Sequence, residues 1–240
     1  NLNMPGIEAF KNSYIETPNL AKLAAESKVF THHYSSSPVC SPSRAGLLTG
    51  RIPTRCNINL WINDKIDEGH DRPRQLLLDE EVTIAEICQK KGYQTAIFGK
   101  WHLNGADWEK AENWEKPHGS FPHQQGFDYG MVSKENPHLT RHLESNSQKN
   151  PGDFFMLDGT PVGTLKGYTS KIITDSSISW LIGYYDKRKP FFLYLPYDAV
   201  HERIYNPDIY DQMYNTGDPN KDVYYANVTY LDHQIGRLLL

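Results

Sequence analysis

TIAEICQKKGYQTAIFGKWHL, Thr83 to Leu103, is the stretch that decides the fold. Its first half reads as a helix. Thr83 stands near the cap, Ile84, Ile87 and Cys88 recur on one helical face, and Gly92 marks the stop. Its second half, YQTAIFG, is a short unbroken run rich in strand formers, the pattern of a buried strand. A helix that stops at glycine and feeds a buried strand is the repeating unit of an α/β domain. Polar Lys100, Trp101 and His102 follow the strand at once, and in open parallel sheets sites gather beyond the carboxyl ends of strands.

The flanking sequence extends the alternation. TPNLAKLAAES reads as a helix with Thr17 as cap, Pro18 at the first position, and Leu20, Leu23 and Ala24 on one apolar face. VFTHHYS reads as a short strand. Ser41 can cap a second helix, with Pro42 at its first position and Gly50 just past its end. Further on, TSKIITDSSISWLIGYYDK is an amphipathic helix, PFFLYLPYD a continuous apolar strand, and YYANVTYLDHQIGRLLL another helix. The second polar group at a strand end is Asp198-Ala199-Val200-His201. The class expected is α/β, a largely parallel central sheet flanked by helices. Residues 104–167 are rich in His, Pro, Gly, Asn and charge, and read as long loops over a surface.

Composition narrows the function classes. A chain of 240 residues can bury a sizeable core as one large domain or two small ones. The formal net charge is −4, which argues against a broad nucleic-acid surface. An anionic substrate must then be held by a few local cations. No apolar run is long enough to span a membrane, and NLNMPGIEAF lacks the basic-then-apolar plan of a signal peptide. The missing initial Met and the apolar GRLLL end suggest a chain cut at both ends. The three cysteines, Cys40, Cys56 and Cys88, fit neither a zinc knuckle nor a CxxC pair. Cys88 reads as a small buried hydrophobe, and Cys56 could pair.

Cys40 is different, because it lies immediately ahead of a proline-started helix. A helix start turns unpaired N–H groups and a positive dipole end toward a thiolate, sulfate or phosphate. Arg44, one turn on, adds a forked cation. From these residues alone, a reactive thiol or anion site stands beside the plainer alternative of a cysteine before a surface helix.

CSPSRAGLLTGR, Cys40 to Arg51, resembles the first signature of the sulfatase family, Cys-x-Pro-Ser-Arg-x-x-x-Leu-Thr-Gly, at every fixed position. GYQTAIFGKWHL, Gly92 to Leu103, resembles the second, Gly-Tyr-x-Thr-x-x-x-Gly-Lys-Trp-His-Leu, and the two stand in the family's order. TPNLAKLAAES, HQQGFDYG, PFFLYLPYDAVH and YLDHQIGRLL are similar to further family segments, so the likeness covers nearly the whole chain. It implies an alkaline-phosphatase-like α/β fold, with residues 1–240 as part of the catalytic domain and 104–167 as a loop-rich insertion.

The resemblance also implies a chemistry. Cys40 would be converted by a formylglycine-generating or sulfatase-maturating enzyme to an aldehyde, present as its hydrate. One hydroxyl of the hydrate would attack sulfur, and the other would expel sulfate by re-forming the aldehyde. Arg44 would hold the hydrate, Lys100 and His102 the sulfate, and His201 would protonate the leaving oxygen. Here the family's usual Ala-Pro-His reads Ala199-Val200-His201. Trp101 reads as packing. The family's calcium ion takes hard oxygen ligands, among them the hydrate at Cys40. Its Asp-Asp and Asp-Asn pairs are expected outside this chain, and Asp64, Asp67, Asp71 and Asp79 read as solvated charges.

The function expected is hydrolysis of a sulfate ester, with a sulfated carbohydrate as substrate and an exported protein as host. A phosphonate or phosphodiester hydrolase of the same superfamily and a silent binding protein are the alternatives. Other features carry weaker readings. On a strand, His32 and His33 would face opposite ways, leaving one metal ligand at most. His118, His123, His138 and His142 line a cleft or a solvated loop, and Trp108 and Trp114 could stack on sugar rings. Asn227-Val228-Thr229 fits a glycosylation pattern on a helix.

Overall fold

Strand β1 (Gln94–Lys100) is the centre of the sheet in the computed structural model, and six of its seven residues are buried. The structure describes residues 14–62, 76–104, 121–133, 155–158, 160–162, 165, 167–201 and 204–240. β2 (Tyr129–Ser133) and β5 (Phe191–Tyr194) lie on either side of β1, both parallel to it. β3 (Phe155–Leu157) and β4 (Thr160–Pro161) extend the β2 edge in antiparallel register, giving the order β4-β3-β2-β1-β5. The sheet is largely parallel, as expected. Its antiparallel edge comes from within 104–167, so this segment supplies three of the strands and is not loop alone.

The helices are α1 (Pro18–Ala25), α2 (Cys40–Thr49), α3 (Ile84–Lys90), α4 (Thr169–Ser179), α5 (Asp208–Asp211) and α6 (Pro219–Leu239). α4 runs on into a π turn, Trp180–Tyr184. Alternation along β1 splits the core in two. Ile97 joins Ala45, Leu48, Leu77, Ala85, Phe127 and Val132 on one face. Ala96 and Phe98 join Phe155, Ile172, Ile173 and Trp180 on the other. Both faces are covered, which explains why the strand is written as a continuous apolar run.

Local signals act as the sequence suggests at α3. Thr83 Oγ1 accepts from the Glu86 N–H at 3.2 Å while Glu86 Oε2 accepts from the Thr83 N–H at 2.7 Å, a complete capping box. Gly92 follows the helix at φ 83°. The buried face is not the expected one, however. Ile84 is 42% and Ile87 51% exposed, Cys88 is half-buried, and Ala85 makes the fully buried contact. A seven-residue helix pressed close to the core admits a methyl where isoleucine would not fit.

Other expectations need correcting. VFTHHYS forms no strand; it is exposed turn and coil, with Phe30 66% exposed, because no described strand pairs with it. His32 and His33 are both exposed there. In α1, Leu23 is exposed, and Thr17 stands at the N-cap without capping through its side chain. The cap comes from far away in sequence. Buried Asp232 of α6 accepts from Asn19 N at 3.1 Å, Asn19 Nδ2 at 2.8 Å and Leu20 N at 2.8 Å. α2 begins at Cys40 with Val39 as N-cap, so Ser41 and Pro42 lie inside the first turn; Gly50 ends it at φ 65°. Cys56 is a free thiol buried in the core. Asn227 is buried and donates to Asn206 Oδ1 at 2.7 Å, so it is not an accessible glycosylation site. Among the described residues, no helix is long and apolar enough to cross a membrane.

Candidate active site

The carboxyl ends of the three parallel strands meet at one place. Lys100 ends β1 opposite Ser133, which ends β2. The chain leaving β5 passes beside them, and Lys100 N donates to Pro196 O at 2.9 Å. Gly99 permits this approach: it sits at φ 128°, and a Cβ there would lie 2.3 Å from Pro196 O. Ser133 Oγ then donates to Asp198 Oδ2 at 3.4 Å. Lys100 and His102 are almost wholly buried, 3% and 4% exposed.

α2 brings the other side of the site. Arg44 Nη1 donates to Lys100 O at 2.9 Å, fastening the helix to the end of β1. Its buried Nε has no hydrogen-bond partner among the described residues. Arg44 also reaches Tyr194, the last residue of β5. Cys40, half-buried and free, precedes Arg44 by four residues, so both lie on one face of α2 at its dipole-positive start. The helix is held in place from both sides. Ser41 Oγ accepts from Ile62 N at 3.1 Å, and a Cβ on Gly46 would meet Ser36 Oγ at 2.2 Å.

The tautomer of His102 follows from its neighbour. Nε2 lies 3.0 Å from Ile62 O. A carbonyl can only accept, so Nε2 carries the proton and Nδ1 keeps its lone pair in the neutral ring. Burial, reinforced by the Lys100 ammonium, holds the pKa down at about 3, against the small upward pull of the Ile62 bond. The ring is at φ 55°, a left-handed backbone position unusual outside glycine.

Arg44, Lys100 and His201 all lie close enough for their charges to act on His102, which brings these four residues into one cluster. His201 is the exposed member, and its N–H donates to Asp198 O at 3.0 Å. Asp198 heads the second polar group that the sequence marks at a strand end, though the sequence gives it no role of its own. It stands between Lys100, Arg44 and His201, and desolvation pushes its carboxyl above the usual range despite those cations. The available signal was a carboxylate at the end of an otherwise apolar strand run. Trp101 is a packing residue, 1% exposed and edge-on to Phe127 at 6.0 Å.

The remaining candidates stand apart from this cluster or beyond view. His123 is exposed and stacks on Phe121. Asp79 is exposed. His118, His138, His142, Trp108, Trp114, Asp64, Asp67 and Asp71 lie outside the described residues. Among the described residues, no group of three or more His, Cys, Asp or Glu side chains could hold a metal ion. Calcium takes about six to eight oxygens, whereas the surroundings of Arg44 offer cations, imidazoles and one carboxylate already facing Lys100. These residues do not by themselves fit that ion.

Comparison with known proteins matches this geometry to a lineage. A sequence model of the sulfatase family matches residues 2–239. The uncharacterized sulfatase YdeN of Escherichia coli (strain K12) is 33% identical over 97% of this chain and 40% of its own length. The N-acetylgalactosamine-6-sulfatase of Mus musculus is 30% identical over 79% of this chain and 36% of its own. Among solved structures, Ps i-CgsB in complex with k-i-k-neocarrahexaose superposes with a TM-score of 0.78 at 22% identity, covering 99% of this chain and 52% of that one, a likeness of fold. The chain thus spans about two-fifths of the curated relatives it matches. With both signature stretches lying side by side at the carboxyl end of a parallel sheet, and the family match running almost end to end, this chain belongs to the sulfatase family.

Proposed function

We propose that the protein carrying this chain hydrolyses sulfate esters of carbohydrates and releases inorganic sulfate. The observation that carries this reading is the bond from Arg44 to the Lys100 carbonyl, which joins the two signature stretches into one cluster where the Arg44 and Lys100 charges act on His102. A guanidinium and an ammonium at the start of a helix suit a tetrahedral oxyanion. The family's modification of Cys40 to a hydrated aldehyde would supply the nucleophile for sulfur. Arg44 and Lys100 neutralise charge on the sulfuryl oxygens in this scheme. His102 has spent its one proton on Ile62, so its Nδ1 can only accept a hydrogen bond, which suits it to orient a hydroxyl group without removing the proton. His201, the exposed member of the cluster, would give a proton to the departing oxygen in this scheme. A maturating enzyme acting on Cys40, calcium bound with oxygen ligands from elsewhere in the protein, and export from the cytoplasm belong to the same reading.

The carbohydrate assignment draws support from an N-acetylgalactosamine-6-sulfatase relative and from a structural neighbour bound to neocarrahexaose. The test is sulfate release from carbohydrate sulfates against matched phosphate and phosphonate esters. Sulfate esters should be the faster substrates, and Cys40→Ala should lower their turnover by about three orders of magnitude or more. Faster turnover of the phosphorus esters would move the assignment to that branch. Intact mass reads the modification separately: thiol to aldehyde removes about 18 Da by elemental arithmetic, whereas the ordinary oxidation ladder adds oxygen.

A further inference from the structure

The sheet has a second end. β1 spans about 20 Å at about 3.3 Å per residue, so its amino end stands well away from Lys100 and the cluster around it. Two connections meet there. The chain from α3 into β1 runs beside the chain from α4 into β5. Gln94 pairs with Phe191 in register, Gln94 N donates to Pro190 O at 2.9 Å, and Asp186 N donates to Gln94 Oε1 at 2.5 Å. Lys90 and Lys91 belong to the first connection, Lys187, Arg188 and Lys189 to the second, and all five are exposed.

A chain of formal net charge −4 thus gathers five cations at one pole. The only carboxylate within these two connections is Asp186, and Arg188 holds it through Nε and Nη2, both at 2.9 Å. Asp128, just ahead of β2, is taken by Gln89 Nε2 at 2.6 Å and Thr95 N at 3.0 Å. Among the described residues, no ion pair engages Lys90, Lys91, Lys187 or Lys189. Like charges crowded together repel one another, and a polyanion laid across them relieves that repulsion. Tyr93, Tyr184 and Phe191 are exposed around the same connections, and aromatic rings take the C–H faces of sugars. Separate cations and single rings suit anionic groups spaced along a sugar chain. A membrane surface would call for a long amphipathic helix, which neither connection supplies.

We propose that this amino-end pole is a second binding surface, for an anionic polysaccharide, and that it tethers the polymer while the cluster at the carboxyl ends acts on its sulfate esters. Binding at the pole stands on charge and placement; its use as a tether rests on the sulfate-ester reading above. A polymer held there raises the local concentration of its own esters at the site without any new contact to the reacting group. Polymeric esters gain a lower KM from this, and small esters gain nothing.

The test is calorimetric binding of dextran sulfate to the protein carrying this chain. Uncharged dextran, poly-glutamate, and vesicles of equal parts phosphatidylcholine and phosphatidylserine serve as comparisons. Dextran sulfate should bind, and binding should weaken steeply with added salt, as contacts that neutralise a polyanion do. Lys187→Ser with Lys189→Ser, and separately Lys90→Gln with Lys91→Gln, should each weaken binding about three- to tenfold and flatten the salt dependence. These side chains are exposed and outside the active-site cluster, so melting temperature and turnover of 4-nitrophenyl sulfate should not change. No binding of dextran sulfate, equal binding of dextran or poly-glutamate, tighter binding to the vesicles, or unchanged binding in both double variants overturns the proposal. Sulfate release from 4-nitrophenyl sulfate by the same preparation judges the parent reading independently. Release with polymer binding that ignores the lysines sinks the pole alone. Lysine-dependent binding without release supports the surface and sinks the activity.

Discussion

His102 is held neutral by burial and by the Lys100 ammonium, with a pKa near 3 against an ordinary value of 6.5. Between those two values the unfolded chain binds the proton and the folded chain does not, so stability rises with pH across that window. Acidification from about pH 6.5 toward 3 should therefore cost on the order of 4 kcal/mol at this residue alone. His102→Gln should flatten that part of a stability-against-pH curve measured by urea denaturation. An unchanged slope would mean that the ring is solvated. Asp198 has the opposite sign. Desolvation raises its pKa, so the folded state resists its ionisation and loses stability as pH rises through the raised value. Asp198→Asn should raise the melting temperature at pH 8 while reducing sulfate-ester turnover, the pattern of a group kept for function at a cost in stability. A variant both less stable and equally active would contradict the placement of Asp198 against Lys100 and Arg44.

At the scale of elements, two contacts between distant segments hold the site in shape. Asp232 on α6 caps α1 with three hydrogen bonds. Asp232→Ala leaves the half-buried donors of Asn19 and Leu20 without their acceptor, and should cost about 1–3 kcal/mol in chemical denaturation. Gly99 lets the end of β1 meet the chain leaving β5, and its φ of 128° excludes other residues at low cost. Gly99→Ala must push Pro196 aside, with a loss of about 1–3 kcal/mol from overpacking. Because Lys100 follows directly, turnover should fall further than stability does. A variant that melts lower yet keeps full activity would show that the two strand ends need not be in register for the site to form.

At the scale of the whole molecule, β1 belongs to both halves of the core. Trp101 lies in the cluster on one face and Trp180 in the cluster on the other. The two should report one unfolding event. Trp101→Phe and Trp180→Phe should each remove part of the fluorescence change, while the transition seen by the remaining tryptophans coincides with that seen by circular dichroism. Separate transitions would mean that the faces of the sheet unfold as independent units. The antiparallel pair β3–β4 stands at the edge but pairs Phe155 with Ser133, so fraying there should reach Ser133 before Lys100, which is tied to Pro196 on the other side.

What could be read from the residues alone was the alternation of helix and buried strand around Thr83–Leu103, while Cys40, Arg44, Lys100, His102 and His201 became candidates through the resemblance of their stretches to the family's signatures. Those signals are local: caps, stops, apolar runs and fixed spacings act over a few residues and need no partner to be seen. Which isoleucines stay dry on α3, why VFTHHYS is not a strand, and what caps α1 were not legible, because each depends on a surface supplied by distant sequence. The same holds for Asp198. Its residue type and its place after a strand were visible, but its placement against Lys100 and Arg44 exists only once β5 lies beside β1. Tertiary structure also decided the cationic pole at Lys90, Lys91, Lys187 and Lys189. Lysines from two distant stretches of the chain become one surface only when the connections ahead of β1 and β5 meet.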